Sequence, residues 1–265
     1  MVADTKELAK GYTVNNATQH NAGLFLLDRL AVKPGMHVLD VGCGPGNLTA
    51  HIAELVGPTG KVVGVDPSKE RIALAQELAT TRPNLTFQVG QAEDLSRFAD
   101  GSFDIVYVNS TFHWIGDQAR AVREFYRVLK QGGGRVGISG GSGDFEAEHE
   151  RVKARVMKQP PFCQYPDTDG VGPKFVKRAE MENLLSLAGF VDCTMVINKF
   201  VKEVKDGYAM IEWLDTSSSG KTYGGIPLEL RPQAKEVMKR EWDKVTTDDG
   251  IKMDMELLVT VATKS

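Results

Sequence analysis

The sequence predicts an α/β fold built around a parallel β-sheet, and three features of the chain support this prediction. Short apolar runs alternate with segments of helical periodicity over residues 37–139, which is the pattern of successive βαβ units. The first apolar run leads directly into a glycine-rich turn, "VLDVGCGPGNLT", at residues 38–49. After residue 140 the chain becomes richer in Gly, Pro and charge. We therefore expect right-handed crossovers in one sheet, followed by a differently organised segment.

The individual elements follow from apolar runs for strands and from helical spacing for helices, each bounded by turn residues. The predicted strands lie at residues 37–41, 61–65, 85–89, 103–108, 135–139, 190–202 and 253–264. The predicted helices cover residues 20–30, 48–56, 67–80, 118–130, 179–188 and most of 207–244. We expect the late strands to form an edge of the sheet and the helices between them to form an inserted cap.

Composition limits the class of protein. The chain has 265 residues and a formal net charge of −3, so no overall field attracts nucleic acid or an anionic membrane surface. No apolar run is long enough to span a bilayer, and the N-terminus lacks the apolar core of a signal peptide. The three cysteines are too scattered for a disulfide framework. These features predict a cytoplasmic protein with no nucleic-acid or membrane partner.

The glycine turn can be compared with a dinucleotide fingerprint, which requires G-x-G-x-x-G. Here the glycines stand at Gly42, Gly44 and Gly46, and Asn47 occupies the position of the third glycine of that fingerprint. Asp40 precedes the turn, and a carboxylate there would repel a pyrophosphate at close range. S-adenosylmethionine (SAM) has no phosphate and carries an ammonium and a sulfonium, so these residues favour SAM. A plain tight turn remains the alternative.

Several segments in order resemble the class I SAM-dependent methyltransferases, over at least residues 36–139. They are "HVLDVGCGPGNLT", "VVGVDPS", "VGQAEDL", "GSFDIVYVNSTFHWI" and "REFYRVLKQGG". The resemblance implies a Rossmann-like fold with a seven-stranded, mostly parallel sheet and an antiparallel last strand. It also implies one domain over residues 1–265, with a SAM-binding core at about 36–139 and a cap from segments 1–33 and 140–250.

The same resemblance implies the residues that bind SAM. They are Asp40, Gly42, Gly44, Gly46, Asp66, Pro67, Gln91, Ala92, Glu93 and Asn109. Asp66 would accept hydrogen bonds from both ribose hydroxyls, although it could also be an ordinary helix N-cap. Gln91 stands where many relatives have Asp for the adenine amino group, and the backbone amide of Ala92 would reach the adenine ring. No metal site is expected.

Three further segments indicate the methyl acceptor. Residues 12–30 resemble the N-terminal helix of juvenile hormone acid methyltransferases, "STFHWIGDQ" resembles a loop of that group, and the C-terminal part resembles trans-aconitate methyltransferases. Those relatives esterify carboxylic acids. The resemblance implies that Gln19 and Trp114 donate N–H groups to the substrate carboxylate, that His113 is a third catalytic candidate, and that Tyr12 and Trp213 contact the substrate.

Other interpretations remain open from the sequence. Trp114 could pack between sheet and cap, Gln19 could be an exposed helix residue, His113 could be a general base or a loop residue without chemistry, and Tyr12 could simply pack. The acceptor could also be a phenol, amine or thiol, while arsenite is disfavoured because few cysteines are available. A non-catalytic SAM-binding protein is a further alternative. We expect a monomer or a homodimer.

Overall fold

The computed structural model describes residues 17–166, 172–218 and 221–265. Its strands are β1 (His37–Val41), β2 (Lys61–Asp66), β3 (Leu85–Val89), β4 (Ile105–Asn109), β5 (Arg135–Gly141), β6 (Phe190–Val204) and β7 (Ile251–Lys264). Its α-helices are α1 (Ala17–Leu30), α2 (Asn47–Val56), α3 (Lys69–Ala79), α4 (Gln118–Val128), α5 (Glu148–Met157), α6 (Arg178–Ala188), α7 (Gly207–Ser217) and α8 (Arg231–Asp243). Short 3-10 helices cover Phe112–Trp114, Phe162–Gln164, Lys221–Tyr223 and Leu228–Leu230.

The seven strands form one sheet in the order β3-β2-β1-β4-β5-β7-β6. The pairings among β1 to β5 are parallel, and β7 runs antiparallel to β5, with Gly137 opposite Val261. The predicted sheet and its antiparallel last strand are therefore confirmed. The strand order reverses between β1 and β4, and the carboxyl ends of strands at such a reversal form the ligand crevice of open α/β sheets.

The described chain forms two compact units. The sheet unit consists of residues 17–144, 174–198 and 257–265, and the helical unit consists of the described parts of 145–173 and 199–256. Each unit has its own cluster of buried apolar side chains, which is the physical basis of a compact unit.

The core of the sheet unit lies between the sheet and its flanking helices. The amphipathic face of α4 contributes Ala121, Val122, Phe125 and Val128, which are all fully buried. On α1, Leu26 and Leu30 are also fully buried. They pack so closely on β5 that a Cβ at Gly137 would lie 2.6 Å from the Leu30 side chain. This packing holds α1 against β5.

The core of the helical unit is rich in aromatic residues and methionine. It includes Phe162, Met210, Trp213, Met238 and Trp242. These side chains come from α7, α8 and the short helix at Phe162–Gln164. Burial of such large apolar side chains is the main favourable term for a helical unit of this size.

Several boundaries differ from the sequence-based expectation. Helix α5 lies in a segment that composition marked only as rich in Gly, Pro and charge; its single apolar stripe is Val152 and Val156, one turn apart and both buried. The helical stretch predicted at 207–244 is interrupted, because the "GGIP" segment at 224–227 cannot continue a helix. Strand β4 begins at Ile105 and extends to Asn109, rather than covering 103–108.

Candidate functional site

The glycine turn lies at the carboxyl end of β1 and leads into α2. Gly42, Gly44 and Gly46 have φ angles of 79°, 55° and 88°, a left-handed conformation that glycine adopts without strain. A Cβ on Gly42 would overlap the Thr111 side chain, and one on Gly46 would lie 2.6 Å from the Phe87 ring. Both the backbone conformation and the packing of the turn therefore require glycine at these two positions.

Asp40 is the buried acid directly before this turn. Its side chain is 2% exposed, and its Oδ2 accepts a hydrogen bond from Thr49 Oγ1 at 2.7 Å. Burial raises the pKa of Asp40 to about 7, the Thr49 hydrogen bond opposes this increase, and the charge of Asp66 adds to it. A carboxyl in this state gains a full charge readily when a cation is placed beside it.

Asp66 lies at the carboxyl end of β2, beside β1. Its Oδ2 accepts a hydrogen bond from the Gly44 amide at 3.0 Å, and its Oδ1 accepts one from the Ser68 amide at 2.9 Å. The N-cap of α3 is Ser68, whose Oγ accepts from the Arg71 amide at 3.1 Å. The alternative that Asp66 is an ordinary N-cap is therefore wrong, because Ser68 fills that position.

The 3-10 helix Phe112–Trp114 follows β4 and carries two of the predicted catalytic residues. Thr111 joins it to the glycine turn, with Oγ1 donating to the Gly42 carbonyl at 3.3 Å. The His113 ring contacts the Trp114 ring at 4.9 Å and the Phe175 ring at 5.1 Å between centroids. Its carbonyl accepts from the Lys174 amide at 2.7 Å. His113 thus contacts two aromatic rings, and its backbone is fixed by the hydrogen bond from Lys174, the residue before Phe175.

Asn109 and Gln19 meet at the same edge of the sheet. Asn109 is the last residue of β4, and its Nδ2 donates to the Gln19 carbonyl at 2.9 Å. The Asn109 Oδ1 and Gln19 Oε1 atoms are buried and have no hydrogen-bond partner within the part of the chain that the structure describes. Buried polar atoms of this kind need a ligand or ordered water. Both side chains therefore have unused hydrogen-bonding capacity near the glycine turn.

The segment predicted to contact adenine follows β3. Gln91 is exposed and Ala92 is buried, and Gln91 forms an isolated bridge with Asp94. Glu93 Oε1 accepts hydrogen bonds from the Gly116 and Asp117 amides at 2.9 and 3.3 Å. This carboxylate thus ties the segment to the loop that precedes α4. The SAM contacts assigned to these three residues stay predictions.

The remaining predicted site residues are distributed more widely. Pro67 is exposed between Asp66 and Ser68. Trp213 lies on α7 in the core of the helical unit and is 6% exposed. Tyr12 lies outside the described residues. Within the described ranges no group of three or more His, Cys, Asp or Glu side chains could hold a metal ion, and no described helix is long and apolar enough to cross a membrane.

Sequence reasoning missed several residues that shape this site. Thr49 and Thr111 were not singled out, although their hydroxyls bind Asp40 and the Gly42 carbonyl. Phe175 was also missed, because it lies 62 residues after His113 in the chain and no local pattern relates the two. A threonine in the first turn of the helix after a glycine turn was the one available signal for Thr49.

The comparisons with known proteins agree with the fold. Residues 39–136 match the family described as "Methyltransferase domain". Trans-aconitate 2-methyltransferase of Deinococcus radiodurans is 29% identical over 185 residues, which are 68% of this chain and 68% of that protein. A demethylmenaquinone methyltransferase of Symbiobacterium thermophilum is 40% identical over 104 residues, 38% of this chain and 41% of that protein. The YcgJ protein of Bacillus subtilis shares the fold, with a TM-score of 0.63 and 22% identity over 92% of this chain and 98% of that chain.

The fold, the glycine turn and the family match together define the class of this part of the chain: residues 39–136 form a methyltransferase domain of the class I SAM-dependent kind. SAM is accordingly the cofactor of its methyltransferase domain. The chain spans only 31% and 41% of the length of two of the curated relatives that it matches.

The site residues fit SAM in their chemistry. A buried carboxyl with a raised pKa, Asp40, is suited to a neighbouring cation. Asp66 has carboxylate oxygens at the end of β2, and carboxylates are strong acceptors for hydroxyl groups. The left-handed glycines let the backbone approach a ligand closely.

Proposed function

We propose that this chain transfers the methyl group of SAM to a carboxylate oxygen of a small-molecule acid, forming a methyl ester. The observation that carries the proposal is the 2.9 Å hydrogen bond from Asn109 Nδ2 to the Gln19 carbonyl. It joins the helix of Gln19 to the end of β4, and β4 leads within five residues to Trp114. The two proposed carboxylate donors therefore belong to segments that meet at one edge of the sheet.

The chemistry of these donors favours an anionic acceptor. An amide N–H and an indole N–H can hold a carboxylate in place without a full positive charge. A cation at the same position would lower the nucleophilicity of the oxygen that must attack. Two neutral donors instead orient the anion and leave its lone pairs available. Positioning of this kind can contribute about 7–11 kcal/mol to a displacement reaction.

The reaction needs no proton transfer. SAM supplies a methyl group bonded to a positively charged sulfur. One carboxylate oxygen forms the new C–O bond with an electron pair, the C–S bond breaks, and its electron pair remains on sulfur. Because a carboxylate is already ionised at neutral pH, the enzyme has to align the groups and exclude water rather than provide a base.

The similarity to a trans-aconitate 2-methyltransferase supports a carboxylic acid acceptor, since that match extends over 68% of both chains. The similarity to a demethylmenaquinone methyltransferase is confined to 38% of this chain. A match over so small a share of the chain carries little information about the acceptor, because the same fold serves many acceptors.

The proposal is tested by incubating the protein with SAM and separate panels of carboxylic acids, phenols, amines and thiols, and detecting products by mass. We expect methyl esters only. Trp114→Phe, which keeps the ring and removes the N–H, should lower kcat/KM for the acid about 10- to 100-fold and leave the Kd for SAM within about twofold. Gln19→Leu should act in the same direction.

His113→Asn separates the carboxylate acceptor from acceptors that need a base. With a carboxylate acceptor no base is needed, so His113→Asn should lower kcat/KM only modestly. The loss expected is that of the ring contacts with Trp114 and Phe175. Methylation of a phenol, amine or thiol that disappears in His113→Asn and survives in Trp114→Phe would contradict the proposal. SAM binding without any product would indicate a non-catalytic binder.

A further inference from the structure

A second group of polar side chains lies in the helical unit, around the indole of Trp213. Lys202, on β6, is half-buried, and its Nζ lies 5.2 Å from the centroid of the Trp213 ring. No carboxylate of the described residues forms an ion pair with Lys202, unlike the neighbouring lysines 199 and 205, which pair with Glu256 and Asp206. Burial lowers the pKa of Lys202, and no nearby acid counteracts this decrease.

Trp213 places a buried hydrogen-bond donor close to the ammonium group of Lys202. The residue is 6% exposed, and its Nε1 has no hydrogen-bond partner among the residues described. An indole N–H that is removed from water without a partner is costly, and most buried Trp side chains find one. The Trp213 indole therefore has one face towards a cation and an N–H that remains to be satisfied.

His149, on α5, packs against the same indole. Its ring centroid is 6.0 Å from that of Trp213, with the two planes nearly perpendicular. Its Nε2 lies 3.3 Å from Glu150 Oε1, whereas its Nδ1 is buried and lacks a partner within the described part of the chain. The Lys202 ammonium of β6 and the His149 ring of α5 thus both lie close to the Trp213 ring of α7. The Trp213 Nε1 and His149 Nδ1 atoms are buried without a partner among the described residues.

We propose that Lys202, Trp213 and His149 form a binding site for the carboxylate of a small molecule within the helical unit. One ammonium group and the indole N–H of Trp213 match the single negative charge of a carboxylate. A phosphate dianion would require more positive charge than this group supplies. The proposal does not depend on methyl transfer, so it extends beyond the proposed function.

The test uses the 265-residue chain labelled with ¹⁵N at its three tryptophans, residues 114, 213 and 242. Tricarballylate, succinate, phosphate and chloride are titrated separately, and the indole N–H resonances are recorded. We expect the Trp213 resonance to move downfield and saturate with the two carboxylates. Trp213→Phe and Trp114→Phe assign the resonances, so one failed variant does not prevent assignment.

The variants then test the ammonium group. Lys202→Met should weaken carboxylate binding at least about tenfold, and Lys202→Arg should retain it within about threefold. Lys205→Met is the matched control, since Lys205 is exposed and pairs with Asp206, and it should leave the Kd unchanged.

Three results would overturn the inference. They are an unmoved Trp213 resonance, equal shifts with chloride, and unchanged affinity in Lys202→Met. Stronger shifts with phosphate than with either carboxylate would overturn the assigned ligand class. A carboxylate that moves only the Trp114 resonance would refute this site while supporting the proposed function. A Trp213 shift together with no ester product in any assay would support this site and contradict the proposed function.

Discussion

The Asp66 carboxylate binds the backbone amide of Gly44, with 3.0 Å between Oδ2 and the nitrogen. This bond connects the end of β2 to the glycine turn after β1, across two neighbouring parallel strands. The same carboxylate accepts from the Ser68 amide. Asp66 therefore holds the shape of the turn, and any role in binding the ribose of SAM is added to this structural one.

The dual role of Asp66 can be tested by comparing two substitutions. Asp66→Asn keeps one oxygen that can accept from Gly44 and removes the charge, whereas Asp66→Ala removes both. We expect SAM binding to weaken by about 1–3 kcal/mol in Asp66→Asn and by more in Asp66→Ala. Calorimetric titration with SAM measures the affinity. An unchanged Kd in both variants would refute the ribose assignment.

The raised pKa of Asp40 predicts that the affinity for SAM depends on pH. Burial raises the pKa of Asp40 to about 7, and a cation beside it favours the ionised form. The affinity for SAM should therefore increase as pH rises towards 7, by at most about tenfold per unit, and level off above it. Asp40→Asn should bind SAM weakly with a flat pH profile. A wild-type profile that is flat between pH 5 and 8 would contradict this assignment.

Ionisation of Asp40 has the opposite effect on the stability of the SAM-free protein, which falls as pH rises. Because the pKa of Asp40 is higher in the folded protein than in the unfolded chain, its contribution to stability is present at acidic pH and is lost as pH rises to about 7. Without SAM, Asp40→Asn should therefore raise the Tm relative to the wild type at pH 8 and have little effect at pH 4. Scanning calorimetry at both values checks this, and a lower Tm at pH 8 would contradict it.

Gly42 should tolerate no side chain. Gly42→Ala combines a φ of 79° with overlap against Thr111, so we expect a loss of more than about 3 kcal/mol in the free energy of unfolding. Gly57→Ala is the matched control, because its φ is 65° and no atom lies within 4 Å of the new Cβ. It should cost only about 1–3 kcal/mol.

Thr111→Gly, combined with Gly42→Ala, should recover part of the loss, because the overlapping side chain is removed. Urea denaturation of the two single variants and the double variant measures the coupling between the positions. Equal destabilisation in Gly42→Ala and Gly57→Ala, without any coupling to Thr111, would show that the backbone conformation alone requires glycine at position 42.

Lys264 should stabilise the sheet unit despite its place at the second-last position. Its side chain is buried, and Nζ donates to the carbonyls of Tyr126 and Leu129 at 2.7 and 2.8 Å, at the C-terminal end of α4. Lys264→Met should lower the free energy of unfolding by about 2–3 kcal/mol, because the last carbonyls of the helix lose a cationic partner. Lys252→Met, at an exposed lysine, should change it by less than about 0.5 kcal/mol. A similar effect of both substitutions would contradict the capping role.

The secondary structure of the SAM-binding part could be read from local patterns. Strands β1, β2, β3 and β5 lie within two residues of the predicted ranges. Strands β1, β2 and β5 are buried on both faces over most of their length, which favours near-continuous apolar sequences. In β3 only Leu85 and Phe87, two positions apart, are buried, which is the alternation of a half-buried strand. The positions after residue 140 were harder. Helix α5 has one short apolar stripe in a charged segment, and a pattern that weak is recognised only when its packing partner is known.

The sequence by itself determined the class of fold, the position of the glycine turn and the acids at residues 40 and 66, since these depend on local spacing and residue type. Only the tertiary structure decided how those groups are used. Asp40 acquires its raised pKa from burial and the charge of Asp66, against the opposing hydrogen bond from Thr49, while His113 is held by Phe175, which is 62 residues away in the chain. Burial and electrostatic fields are sums over neighbours in space, and those neighbours come from segments whose proximity no local pattern encodes.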